Sequence, residues 1–253
     1  MPGPDALLAA ALVRNPASPL LTFYDDASGD RTELSATTLA NWVAKTANLL
    51  RDDVGVVDGD RVAVLLPAHW QTASVLLGAW SAGAAVTTDP SGAAAAFVDA
   101  DHADLALAAG AQEVFALALA PLGRGFTGAP PDRTRDYVQE ARGHGDRYSA
   151  VPVGDNQPAL VVEGSVITAG DLVEVTLRRA DELGLLPGDR LLTAAPWDGP
   201  VDWVDGLLAP LAAGASVVLC AHADLAALAR RADTERVTAT LGVTLPGIRV
   251  TAG

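Results

Sequence analysis

Three short stretches carry side chains capable of chemistry. In the first, Trp197, Asp198, Asp202, Trp203 and Asp205 lie close together, just after an apolar run that ends at Pro196. In open α/β sheets the carboxyl ends of strands line the ligand crevice. Two indoles there could wall an apolar pocket while Asp198 or Asp202 orients a polar group. The competing reading is packing: Asp202 caps a helix and Trp197 and Trp203 fill core, the commoner use of large aromatics. In the second, His69-Trp70 follows Pro67 in the same way. A histidine at a strand end is a candidate base, but no nucleophile or metal ligand lies near it in sequence, which favours an ordinary helix-start histidine. In the third, Cys220, His222 and Asp224 alternate. Neighbouring residues rarely form a triad or metal site alone, so Cys220 reads as a buried strand end and His222 or Asp224 as a cap. No catalytic or metal-ligating set is assigned. Trp197, Asp198, Asp202, Trp203, His69 and Trp70 remain the candidate ligand-binding residues.

The elements that position these residues come from a repeat. Gly55–Val86 begins with a GxxxGDR turn, runs apolar to Pro67 and passes through a helical segment to Ser81-Ala82-Gly83-Ala84. Gly184–Val217 repeats it: Gly188-Asp189-Arg190, Pro196, then Ala212-Ala213-Gly214-Ala215. Leu20–Tyr24 with Arg31–Leu34, and Ala159–Val162 with Val166–Ile167, read as hairpins ahead of the two copies. Ser35 and Thr168 are N-caps for the helices that follow. Val62–Leu66, Ala84–Thr87, Leu105–Ala108, Leu191–Ala195, Ser216–Leu219 and Val237–Leu241 read as strands. Trp70–Trp80, Gly92–Asp101, Asp132–Arg142, Asp202–Leu211 and Asp224–Arg231 read as helices, with Asp132 as a cap. Strand and helix alternate, which predicts an α/β fold of two pseudo-repeated lobes with mainly parallel sheets, layered α/β/α. The expected division is a first lobe at 1–120, an irregular linker at 121–158 and a second lobe at 159–253, together one body.

Composition narrows the partners. Half of the 253 residues are hydrophobic and the formal charge is −14, so the chain is a folded protein with no electrostatic attraction for nucleic acid or anionic membrane. A single cysteine excludes an intrachain disulfide. The N-terminus has no basic segment and no apolar run reaches bilayer length, so a cytoplasmic location without membrane insertion is expected. Lys45 is the only lysine.

LTFYDDASGDRTELS, GDRVAVLLPAHWQTASVLLGAWSAGAAVTTDP, DNQPALVV, GLLPGDRLLTAAP and GLLAPLAAGASVVL resemble the large N-terminal domain of the adenylate-forming superfamily of acyl-CoA synthetases, adenylation domains and luciferases. The chain is most similar to a short actinobacterial group of AMP-binding-like proteins. The resemblance implies that fold, and places Trp197–Asp205 beside an acyl pocket. It also implies a Ser/Thr/Gly-rich phosphate loop ending in Pro-Lys directly after the strand matched by Ala159–Val162. Here Glu163-Gly164-Ser165-Val166-Ile167-Thr168 stands instead. A phosphate loop wraps its anion in backbone N–H groups with a lysine for charge; this stretch has neither length nor lysine, and Glu163 adds negative charge. The family's adenylation lysine belongs to a C-terminal lid domain that is not expected here, and its acidic and Tyr-rich nucleotide motifs have no counterpart in these residues. ATP or AMP is therefore not an expected cofactor. The expected function is a catalytically inactive relative serving as a binding or interaction module, for a protein partner or an acyl-type ligand. The alternatives are an enzyme of altered chemistry completed by a partner chain, and a homodimeric assembly protein.

Overall fold

The computed structural model describes residues 3–149 and 154–252; residues 150–153 of the expected linker, and the chain ends, lie outside them. The strands are β1 (Pro19–Asp25), β2 (Asp30–Ser35), β3 (Arg61–Leu65), β4 (Ala85–Thr87), β5 (Ala95–Val98), β6 (Glu113–Ala116), β7 (Arg135–Asp136), β8 (Pro158–Val162), β9 (Ser165–Thr168), β10 (Arg190–Thr193), β11 (Ser216–Ala221), β12 (Ala239–Leu241) and β13 (Arg249–Val250). The helices are α1 (Asp5–Arg14), α2 (Ala36–Asn48), α3 (Trp70–Ser81), α4 (Ala103–Ala108), α5 (Tyr137–Arg142), α6 (Ala169–Glu182), α7 (200–213, with a π-helical middle at Val204–Leu208) and α8 (Leu225–Glu235). None of the described helices is long and apolar enough to cross a membrane.

They form two mostly parallel sheets with the same plan. One runs β7-β6-β5-β3-β4-β8-β9 and the other β13-β12-β10-β11-β1-β2. β3 corresponds to β10, β4 to β11, β5 to β12, and the hairpin β8–β9 to β1–β2. The turns repeat atom for atom. Gly59 N donates to Gly83 O at 2.8 Å and Gly188 N to Gly214 O at 3.1 Å. Asp60 Oδ2 accepts from Val57 N at 2.9 Å and Asp189 Oδ2 from Leu186 N at 2.8 Å. Both GDR glycines have φ near +85°, as do the helix-ending Gly83 and Gly214 near +80° (85, 86, 80 and 77°); this region favours glycine. In the second sheet Leu191 faces Leu183, Ala209 and Ala239, while Leu192 and Val218 on the other face meet Leu228 and Ala232. Helices thus cover both faces, the arrangement parallel strands require.

The compact units do not follow the contiguous division at 1–120 and 159–253. One comprises residues 1–6, 40–67 and 71–173, the other residues 7–39, 68–70 and 174–253. The reason is strand pairing. β1 lies parallel to β11, Leu21 opposite Val217, and β8 lies parallel to β4, Leu160 opposite Val86. The hairpin that precedes each copy in the chain closes the sheet of the other copy.

Other local expectations fail for tertiary reasons. The alanine-rich stretch expected as a helix at Gly92–Asp101 contains β5, held between β3 and β6 with all four residues buried. Leu105–Ala108, expected as a strand, belongs to α4, where Ala103 and Ala106 face the core and Leu105 is 53% exposed. Sheet pairing overrides the helical propensity of alanine. The helix expected from Asp132 begins at Tyr137. Asp136 caps it, accepting from Val138 N at 2.9 Å and Gln139 N at 3.4 Å, and its other oxygen takes Phe126 N at 2.9 Å.

In the first unit, α3 rests on α2 at Gly78. A Cβ there would come within 2.5 Å of Thr46 Cβ, and Thr46 is buried with its hydroxyl hydrogen-bonded to Tyr137. Gly78→Ala is expected to destabilise by about 1–3 kcal/mol through overpacking, read as a lower urea midpoint at unchanged slope.

Candidate functional site

All six candidate residues fall in the second unit. His69 and Trp70 are buried; His69 packs edge-on against Phe23 at 4.3 Å and lies 5.6 Å from the Trp70 ring. Burial lowers the His69 pKa to about 3, against the opposing pull of the Asp25 carboxylate. A neutral, enclosed imidazole with so low a pKa is poorly matched to general-base work near neutrality.

Around Pro196 the capping assignment holds in detail. Asp202 reaches back from the first turn of α7 and accepts from Asp198 N at 2.9 Å and Gly199 N at 3.1 Å. Pro200 occupies the first helical turn, where no N–H is needed. Asp198 is exposed, and Trp197 and Trp203 are buried. Trp197 sets the Nε1 edge of its indole against Gly206, where a Cβ would overlap Nε1. The π-helical segment around Gly206 precedes Pro210, whose ring and missing N–H disturb the ladder back to residue 206. One feature exceeds packing: Nε1 of Trp197 and Nε1 of Trp203 are buried with no hydrogen-bond partner among the described residues. Buried donors are normally paired.

Cys220, His222 and Asp224 are pulled to different partners. Cys220 is buried in β11, and burial raises its pKa against the effect of Arg231. His222 points outward and pairs with Asp25 Oδ1 at 2.7 Å. Asp224 caps α8 by accepting from Ala226 N at 2.9 Å. Among the described residues, no group of three His, Cys, Asp or Glu side chains is placed to hold a metal.

A polar cluster that local sequence patterns could not reveal surrounds Glu235. This carboxylate, only 8% exposed at the end of α8, accepts from the Tyr24 hydroxyl at 2.6 Å, from Arg31 at 2.9 Å and from Arg190. The guanidinium groups of Arg31 and Arg231 lie over the Tyr24 ring, 5.6 and 4.1 Å from its centre, and Arg231 is paired with Asp26. Its members come from positions 24 to 235, and nothing in their individual neighbourhoods marks them. Burial alone would raise the Glu235 pKa; the bonds from Tyr24, Arg190 and Arg31 overcome it and hold the value at about 2.

Two further placements bear on phosphate chemistry. Lys45 is committed to an ion pair with Asp146 at 2.8 Å and donates to His144 O at 2.7 Å. Between β8 and β9 only Glu163 and Gly164 turn the chain, both at positive φ (49 and 80°), with Val162 opposite Ser165. This is a two-residue hairpin turn of the I′ kind.

Acid should loosen this unit in two stages. Protonation of unfolded His69, ordinarily near pH 6.5, draws the equilibrium towards unfolding as pH falls below that value. Glu235, ordinarily near 4.5, adds to the loss between there and about pH 2. Both contributions are complete above pH 6.5. Urea midpoints from pH 7.5 to 4 should decline, with His69→Asn removing the upper part of the decline. Glu235→Ala, which leaves the largely buried Arg190 guanidinium without its carboxylate while the exposed Arg31 keeps Glu33, is expected to cost about 3 kcal/mol at pH 7.

Comparison with known proteins places the chain. Residues 8–122 match the family model "AMP-binding enzyme". The chain is 49% identical over 245 residues, 93% of its length and 96% of the other's, to a protein of Mycobacterium tuberculosis described as a TIGR03089 family protein. Among solved structures it resembles acetoacetyl-CoA synthetase from Streptomyces lividans, with a TM-score of 0.77, 18% identity and coverage of 94% of this chain and 42% of that one. It also resembles the N-terminal domain of FACL13 from Mycobacterium tuberculosis, with a TM-score of 0.72, 19% identity and coverage of 96% and 63%. The chain spans about half the length of several solved proteins it matches, including the anthranilate CoA ligase AuaEII, at 49%.

Proposed function

Because the chain belongs to the same family as the TIGR03089 protein of Mycobacterium tuberculosis, on the N-terminal fold of adenylate-forming enzymes, we propose that it is a catalytically inactive relative that works as a binding or protein-interaction module. The observation that carries this reading is the turn at Glu163-Gly164. Adenylation requires stabilisation of negative charge on the α-phosphate. A two-residue turn offers no wrap of N–H groups, Glu163 brings the wrong charge, and Lys45 is held by Asp146.

The test is ATP–pyrophosphate exchange by the purified chain across a panel of carboxylic acids. Exchange at the level of a buffer blank is expected, together with no thermal shift from ATP or AMP. Exchange above that blank, abolished by heat inactivation, would overturn the proposal.

A second element of the reading is an acyl-type ligand beside α7. The two unpaired indole N–H groups of Trp197 and Trp203 favour it, since an acyl carbonyl would satisfy one of them. Acyl-CoA is then expected to change tryptophan emission saturably in the native chain and not in Trp197→Phe. An unresponsive native chain, or an equal response in the variant, would remove this ligand from the reading.

A further inference from the structure

The internal repeat supplies its own control for a cleft in the second unit. In the first copy the groove beside the GDR turn is filled. Gln157 Nε2 donates to Gly83 O at 3.2 Å, and Arg51 Nη1 reaches Val56 O, Asp58 and Ala82 O at 3.1, 3.0 and 3.3 Å. Asp58 lies against Gly83, and the Pro158 ring is 3.6 Å from where a Cβ of Gly59 would stand. In the second copy the three matching positions carry side chains that cannot reach, and over the matching glycine, Gly214, the guanidinium of Arg14 stands alone. By position in the repeat Arg51 becomes Ala180, Asp58 becomes Pro187, and Gln157, just ahead of the proline that opens β8, becomes Ser18, just ahead of the proline that opens β1. A Cβ at Gly188 would meet nothing within 4 Å.

A cleft of about 350 Å³ results, walled by the last turn of α1, the start of β1 and the turns at Gly188-Asp189 and Gly214–Ser216. Arg14 is the cation that lines it, its guanidinium laid over Gly214 where any Cβ would overlap it. Among the described residues Arg14 has no ion pair or hydrogen bond, unlike Arg51 in the other copy. A basic residue in the last turn of a helix has an ordinary use in opposing the helix dipole. That use does not explain the removal of three groove-filling side chains. Asn15 and Ser18 add an amide and a hydroxyl; the Ser216 hydroxyl beside them donates to Asp189 O and accepts from Arg190, each at 3.4 Å. The acid in the wall, Asp189, is already neutralised by Arg249, Leu186 N and Thr238. A free guanidinium fork above hydroxyl and amide donors matches a carboxylate or phosphate group.

We propose that this cleft binds a small molecule bearing a carboxylate or phosphate group, held by Arg14 with the Ser18 hydroxyl and the Asn15 amide. The site is independent of whether the chain adenylates anything.

The test is amide NMR on the whole chain, titrated separately with sodium succinate and with inorganic phosphate at constant ionic strength. At least one probe is expected to shift Asn15, Ser18, Gly188, Gly214 and Ser216 saturably below about 10 mM. Whichever probe binds names the group recognised. Ser18→Gln should refill the groove as Gln157 does, and Arg14→Ala should remove the cation. Each is expected to weaken binding at least tenfold while the amide spectrum outside the cleft stays native. The proposal is overturned if neither probe shifts these amides, or if a natively folded Arg14→Ala or Ser18→Gln binds as the native chain does.

Discussion

Glu235 is the point on which the second unit turns. A carboxylate at the end of α8 has been carried out of water and surrounded by groups from three strands: Tyr24 of β1, Arg31 of β2 and Arg190 of β10. Coulomb attraction between buried partners roughly offsets their desolvation, so such a cluster adds little net stability over an apolar one. What it does supply is a single geometry. The β1–β2 hairpin can lie against β11 only in the register that delivers Tyr24 and Arg31 to the same carboxylate that Arg190 reaches.

The hairpin needs that fastening because of where it comes from. Each sheet of the molecule is closed by a hairpin that belongs, by the order of the repeat, to the other copy. β8–β9 is close in sequence to the sheet it joins, and Trp80 Nε1 ties α3 to Ala159 O at 2.8 Å. β1–β2 is remote from its sheet, and it is there that the charged cluster is found. The two solutions to one topological problem differ as the distances along the chain differ.

How much could be read beforehand follows the same line. The repeated GDR turns, both hairpins, the caps at Ser35 and Thr168 and the capping role of Asp202 were legible because each depends on residues a few positions apart. The exchange of hairpins was not, since no local pattern states which sheet a strand will join. The alanines at 95 and 96 misled for a related reason: their intrinsic preference is helical, and only the gap between β3 and β6 makes them a strand. At the candidate sites the chemistry of His69 was unreadable without its burial. The Glu235 cluster and the Arg14 cleft are assembled from distant segments and invisible in any one of them.

The pairing of β1 with β11 also sets an order of events in the cell. The ribosome releases β1 and β2 long before β11, the strand that covers the open edge of β1. Over that interval Leu20, Leu21 and Phe23 stand in a hairpin without its sheet. Unpaired strand edges with apolar side chains attract other strands. The nascent chain thus carries a sticky edge from the emergence of β2 until that of β11, which makes shielding of this hairpin a demand on the folding machinery rather than on the finished protein.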